Sequence, residues 1–271
     1  MAKANILDIN GKEKGKIELP KCFSAQIRED IISKVIEAKK TKQPYSPSPV
    51  AGKQHSASGK IRHRRHVWKS GYGRGISRVP RKILLRRGSQ FHWEAAEISS
   101  VKGGRRAHPP KTLSMINTKK INKKELEIAL ISAISATANE KEIAERYETL
   151  KGKKLGREFP LIVESEITSL KTKDIISALK KVLGEQLFKL ALKKKKVRSG
   201  KGKARGRKYK SNAGMLLVAG DNESLKTSAF EITNVKNLSV SDLAKGGPGR
   251  LTLYTEQAVN DLKIKFNGEK E

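Results

Sequence analysis

Between Pro44 and Pro110 the chain runs for 67 residues with little 3.6- or 2.0-residue periodicity in its apolar side chains, so this stretch cannot build an ordinary core. It carries 15 Lys and Arg against two acids, Glu94 and Glu97. It also holds all five His (His55, His63, His66, His92, His108), both Trp (Trp68, Trp93), six of the nine Pro and eight Gly. Two short runs, Lys82 to Arg87 and Trp93 to Ser100, are candidates for helix or strand, but neither is long enough to pack a core. A second run, Lys193 to Lys210, places 11 Lys and Arg and no acid in 18 residues. The formal charge of +32 therefore divides into +24 in these 85 residues and +8 in the other 186. Two concentrated cationic insertions need a polyanion.

Other classes fall away quickly. The longest apolar stretch, Ile128 to Ala138, is about half the ~20 residues that span a bilayer and is interrupted by Ser132, Ser135 and Thr137. The opening MAKANILDIN has no basic segment followed by an apolar one, so a cytoplasmic protein with no membrane partner is expected. A single cysteine, Cys22, excludes an internal disulfide and a cysteine-built zinc site.

Outside the basic runs, short strands alternate with helices. Asn5 to Ile9 and Lys16 to Leu19 predict two strands around the turn Asn10-Gly11. Ser24 has the position of a helix cap, with Ile27, Ile31, Val35 and Ile36 on one face of a helix that stops before Pro44. Asn122-x-x-Glu125 has capping-box spacing before a stripe of Leu126, Leu130 and Ile134. A charged helix is expected from Glu140 to Leu150. Pro160 to Val163 and Met215 to Ala219 predict buried strands, with a helix from Thr172 between them. Ile232 to Leu238 and Arg250 to Tyr254 predict two more strands, and Glu256 to Leu262 a closing helix. This alternation predicts an α/β fold: a mostly parallel sheet with flanking helices, a Rossmann-like layering without a nucleotide site, interrupted by a long extended basic loop. The expected division is a discontinuous globular domain over 1–43 and 111–271, an extended loop over 44–110, and a second basic loop over 193–212.

Several chemistries can be weighed against the residues. Gly71-Tyr72-Gly73-Arg74-Gly75 follows no strand and opens no helix, which a dinucleotide fingerprint requires. Ser199-Gly200-Lys201-Gly202-Lys203 resembles a phosphate-binding loop in composition only and predicts a flexible cationic loop. His63-x-x-His66, with His55 nearby, lacks a cysteine or carboxylate to complete four metal ligands. Cys22 has no activating base and is expected to be a small buried or strand-edge residue. No metal site, catalytic residue or enzyme activity is expected.

The basic runs have instead what a chain threaded through folded RNA needs. Gly and Pro allow close backbone approach, Lys and Arg neutralise phosphates, and Trp, Tyr, His and Arg planes stack on bases. A hairpin-like arm of about 30 residues could reach on the order of 100 Å. The candidate RNA-contacting residues of the first run are Lys53, His55, Lys60, Arg62, His63, Arg64, Arg65, His66, Trp68, Lys69, Arg86, Arg87, Trp93, Lys102, Arg105, Arg106, His108 and Lys111. In the second run they are Lys194, Lys195, Arg198, Arg205 and Arg207, assigned on charge alone.

Three segments carry a resemblance: Trp68-Lys69-Ser70-Gly71-Tyr72-Gly73-Arg74-Gly75 with Val79-Pro80-Arg81 after it, Gly103-Gly104-Arg105-Arg106-Ala107-His108-Pro109-Pro110-Lys111-Thr112, and the stretch Gly246 to Glu256. Together they resemble the large-subunit ribosomal protein L-four family in its archaeal and eukaryotic form, over nearly the whole chain. The resemblance implies a structural, non-enzymatic component that binds 23S-type ribosomal RNA, supports subunit assembly and sends its loop to the polypeptide exit tunnel. It places Tyr72, Gly73, Arg74, Gly75, Ser77, Arg78, Val79, Pro80 and Arg81 at or near the tunnel tip. Its implied partners are ribosomal RNA, neighbouring large-subunit proteins and the nascent polypeptide, not a second copy of the chain. No cofactor is expected beyond structural magnesium of the surrounding RNA. The end at Glu271, without the long basic extension of eukaryotic members, favours an archaeal protein. A basic DNA- or chromatin-binding protein is the alternative reading, and an RNA-modifying enzyme with a cofactor at the carboxyl ends of the strands is a third.

Overall fold

A computed structural model describes residues 2–40, 64–104, 108, 119–153 and 155–267. The chain divides into two compact units, one from residues up to Lys40 together with those from Lys120 onward, the other between Thr41 and Lys119. In chain order the first unit gives β1 (Lys3–Leu7), β2 (Glu13–Glu18) and α1 (Glu29–Lys40), and the second gives β3 (Arg81–Arg87) and β4 (Gln90–Ala95). The first unit resumes with α2 (Lys123–Ala138), α3 (Glu140–Arg146), β5 (Leu161–Val163), α4 (Thr172–Ala191), β6 (Lys195–Val197), α5 (Lys201–Ala204), β7 (Tyr209–Ser211), β8 (Leu216–Ala219), β9 (Glu231–Asn234), α6 (Val240–Leu243), β10 (Thr252–Thr255) and α7 (Glu256–Asn267).

In the first unit a six-stranded sheet runs in the order β2-β1-β5-β10-β8-β9. Only the β1–β2 pair is antiparallel. The central strands are apolar on both faces because helices cover both. On one side Ile162, Leu216, Val218 and Tyr254 pack with Ile32 and Val35 of α1, Ala133 and Ile134 of α2, and Val259 and Leu262 of α7. On the other, Leu161, Val163, Leu217 and Leu253 pack with Ile143 of α3 and with Ile175, Leu179 and Val182 of α4. Each fully buried Leu or Ile contributes about 1.5–3 kcal/mol. Tyr254, wholly buried, has its hydroxyl 2.8 Å from Thr137 Oγ1 and its ring edge-on to Phe23 at 5.2 Å. Burial pushes its hydroxyl pKa up to about 12, and it stays neutral.

The expected strands and helices form, with four differences of physical interest. Ser24 does not cap a helix: its hydroxyl donates to Lys21 O at the end of a 3-10 turn, Lys21–Phe23, and α1 starts only at Glu29. Serines on α2 hold the intervening chain, Ser135 Oγ donating to Ala25 O at 2.6 Å and Ser132 Oγ to Gln26 O at 3.2 Å. Asn122 stands at the start of α2 without a side-chain capping bond, and Glu125 pairs with Lys34 on α1 at 2.8 Å. The capping box forms at α6, where Ser239 N and Oγ both donate to the Asp242 carboxylate. Finally, the Lys193 to Lys210 run is not an irregular loop: β6 and β7 pair antiparallel, with Val197 opposite Tyr209. A β-branched side chain across from an aromatic favours pairing, and Asn212 closes the base by accepting from Lys194 N and donating to Leu192 O.

Candidate nucleic-acid interface

The second hairpin joins the first unit at the amino ends of the parallel strands, since β7 leads directly into β8. There Arg250, fully enclosed, donates to Asp242 O at 2.6 Å, Ala213 O at 3.0 Å, Gly214 O at 3.2 Å and Glu231 Oε2 at 2.9 Å. Glu231 also receives Lys245 at 2.5 Å and Lys193 at 3.4 Å. Burial pushes the Glu231 carboxyl up, but hydrogen bonds and charge from Lys245 and Arg250 outweigh it and bring the pKa to about 2. Arg146 pins the adjoining glycine turn by donating to the carbonyls of Lys245, Gly247 and Pro248. Beside this network an open groove of about 980 Å³ is lined by Lys193, Lys195, Lys210, Lys226 and Lys245. Tyr209, 48% exposed, lies 4.4 Å from the Lys195 ammonium and 5.5 Å from that of Lys208. One edge of the sheet thus gathers lysines around two carboxylates that are already committed, Glu231 to these cations and Asp242 to Ser239.

Described by itself, the second unit centres on the β3–β4 hairpin. Its two-residue turn starts at Gly88 with φ +53°, the conformation such hairpins require. Phe91 and Trp93 are two apart on β4 and so share a face. Their rings stack at 5.6 Å, and Trp68 meets Phe91 edge-on at 5.8 Å. Cations lie over these rings: Arg74 on Trp93 at 5.1 Å, Lys69 and Arg86 on Phe91 at 5.7 and 5.5 Å, and Arg78 and Arg65 on Tyr72 at 4.8 and 5.5 Å. Contacts of this kind contribute about 0.5–2 kcal/mol each. This small aromatic cluster gives a segment without a conventional core a defined shape.

The structure brings only some of the expected residues together. Lys53, His55, Lys60, Arg62, His63, Arg105, Arg106 and Lys111 lie outside the described residues. Arg64, Arg65, His66, Arg86, Arg87, Lys102 and His108 are exposed, as are Lys194, Lys195, Arg205 and Arg207. Arg198 is half-buried because its Nε donates to Arg207 O within the second hairpin. The two tryptophans differ: Trp68 is 60% exposed, whereas Trp93 is half-buried under Phe91 and Arg74. In the segment around the expected tip, Gly73, Arg74, Gly75, Ser77 and Arg78 are exposed and Tyr72, Val79, Pro80 and Arg81 half-buried. Arg81 opens β3 and donates to Ser77 O and Oγ. Phe91, Tyr209 and Arg250 were not singled out from sequence. The alternation Phe91-His92-Trp93-Glu94 carries the signal for the first, and nothing local carries one for a buried Arg250.

Open α/β sheets bind small ligands at the carboxyl ends of their strands, and here that edge is closed by its own side chains. Glu223 Oε2 accepts from Gly220 N at 2.7 Å and Thr255 Oγ1 at 2.6 Å, and Asp261 Oδ2 accepts from Asp221 N at 2.8 Å. A Cβ on Gly220 would stand 2.8 Å from Gln257 Cγ, so α7 sits directly on the turn where a phosphate would have to enter. Among the described residues no group of three His, Cys, Asp or Glu is placed to hold a metal ion. Burial pushes the Cys22 thiol up to about 12, the state of an unreactive packing residue.

A filled carboxyl edge, a lysine-lined amino edge and a separate aromatic-cationic unit define a cation-bearing α/β scaffold. The chain belongs to the Ribosomal protein L4/L1 family, whose model matches residues 17–265. It is 38% identical to the large ribosomal subunit protein uL4 of Nanoarchaeum equitans over 267 residues, 95% of this chain and 96% of the relative. It is 37% identical to the protein of that name from Archaeoglobus fulgidus over 270 residues, covering 96% and 98% of the two chains. With that of Methanococcoides burtonii it shares 38% over 276 residues, covering 98% and 100%.

Proposed function

We propose that the chain is a structural, non-enzymatic component of the large ribosomal subunit in the cytoplasm, holding ribosomal RNA through both cationic units and supporting subunit assembly. The observation that carries this reading is the placement of charge within a ribosomal protein family member. The α/β unit keeps its carboxylates mostly paired or on helix faces, while Arg64 to Arg87 carries nine Lys and Arg and no acid. Its partners are ribosomal RNA and neighbouring large-subunit proteins, and it acts as a single copy without a cofactor of its own. The segment Tyr72 to Arg81 forms part of the exit-tunnel wall, where the nascent polypeptide passes; the exposed Gly73, Arg74 and Gly75 support that reading.

The test is binding of the full chain to large-subunit ribosomal RNA and to duplex DNA of equal length at several salt concentrations. Both share the phosphate contribution and its salt slope. A clear preference for ribosomal RNA at high salt is expected, and equal affinity for duplex DNA at every salt concentration would refute the reading.

A further inference from the structure

An open groove of about 810 Å³ in the second unit is lined by Arg65, Trp68, Lys69, Tyr72, Arg74 and Arg78 among others, and among the described residues no carboxylate lines it. Its cations rest on aromatic rings rather than on acids: Arg65 and Arg78 on Tyr72, Arg74 on Trp93, Lys69 on Phe91. Among the described residues no acid compensates their charge, which leaves it available to phosphate. Trp68 stands in this groove, 60% exposed, and its one ring contact among the described residues is to Phe91, made edge-on at 71°. An edge-on neighbour leaves indole surface open, whereas Trp93 is covered by Phe91 and Arg74. Of the two tryptophans, Trp68 alone can receive a further ring.

The groove is also built rather than incidental. Ser70 Oγ donates to Arg64 O at 2.7 Å and accepts from Tyr72 N at 3.2 Å, and Arg74 Nε donates to Ser70 O at 3.1 Å, so one serine ties the loop on both sides of Trp68. Two non-glycine residues flanking Trp68, His66 at φ +56° and Lys69 at φ +63°, are held in the left-handed region. Side chains adopt that conformation at a cost, and such strain concentrates where a surface is held in readiness for a ligand.

We propose that this groove is a preformed subsite for one unpaired nucleotide of RNA, its base stacked on Trp68 and its flanking phosphates met by Arg65, Lys69, Arg74 and Arg78. A base in a duplex hides its faces against its neighbours, so the occupant comes from a single strand, a bulge or a loop. The proposal rests on the RNA-binding reading above and adds to it the specific demand for a base.

The experiment titrates the full chain with hexa-adenylate, with an abasic ribose-phosphate hexamer of the same charge, and with hexaglutamate, following tryptophan emission and affinity together. Hexa-adenylate should quench the emission and bind more tightly than the abasic hexamer. Trp68→Ala should weaken hexa-adenylate on the order of tenfold and leave the abasic hexamer unchanged. Trp68→Phe, which keeps a flat ring, should retain most of the affinity while the quenching disappears, separating stacking from a folding defect. Equal affinity for the two hexamers, or no effect of Trp68→Ala, overturns the base subsite while leaving RNA binding through phosphates intact. Comparable quenching by hexaglutamate overturns it in favour of an acidic protein segment. If neither hexamer binds at low salt, the RNA-binding reading falls with it.

Discussion

Arg250 Nη2 lies 2.9 Å from Glu231 Oε2 across the amino ends of β10 and β9, joining two strands that are not neighbours in the sheet. The guanidinium has no exposure to solvent, and its other donors reach carbonyls of the chain entering β8 and of Asp242 in α6. Removing one side of a buried charge pair leaves the other uncompensated. Arg250→Met should therefore cost about 3–5 kcal/mol, read from urea unfolding of the full chain. A loss below about 1 kcal/mol would mean that the carbonyls, and not the guanidinium, organise this edge.

Glu231 gives the same network a pH signature. Its folded pKa of about 2 lies below the ordinary 4.5, so it binds its proton less readily when folded, and its contribution is complete above pH 4.5 and lost as pH falls towards 2. Because the carboxylate is partly solvated, the contribution is on the order of 1–3 kcal/mol. Glu231→Gln should flatten the acid side of the stability profile between those limits and leave its neutral shape unchanged, as followed by denaturation at a series of pH values.

Gly249 has φ +72°, and a Cβ there would stand 2.6 Å from Glu142 O. Backbone conformation and backbone contact both oppose a side chain, so Gly249→Ala should destabilise the first unit by about 2 kcal/mol or more. Gly73→Ala, at φ +74° with open space around its Cβ, should cost less. Thermal unfolding of the two variants gives the order directly.

How much of this could be read from the chain alone follows from where each determinant lies. β8 and β10 were legible because fully buried parallel strands are apolar along their whole length, and α2 and α4 because their stripes exceed three turns. The start of α1 was not, because it depends on Ser132 and Ser135, more than 100 residues away in sequence. Of the two basic hairpins only the first left a trace, Lys82 to Arg87 and Trp93 to Ser100 standing as helix or strand, and their pairing was hidden for a different reason. Lysine and arginine mask strand alternation, and the stabilising contacts are cation-over-ring pairs that no periodicity records. Arg250 looked like the first residue of a strand, since only the assembled carbonyls around it make burial of a charge tolerable. At the site, charge and aromatic content pointed to the right segments but could not tell Trp68 from Trp93, which differ only in what the hairpin lays over them.

Among the described residues, both core clusters are built from the first unit alone. Replacing residues 41–119 by a short Gly-Ser linker should leave its circular dichroism unchanged and its Tm within about 5 °C, while weakening binding to large-subunit ribosomal RNA and flattening its salt dependence. Collapse of the helical signal would show that the second unit is needed for the first to fold.

The central claim is that this chain is a permanent part of the large ribosomal subunit, and sedimentation tests it most directly. Tagged full-length chain in a cell extract is run through a sucrose gradient at high salt, where contacts made only by diffuse charge are released. Comigration with the large subunit at near-unit stoichiometry is the predicted result, and release of the chain from that fraction into a DNA-bound or free pool would contradict it.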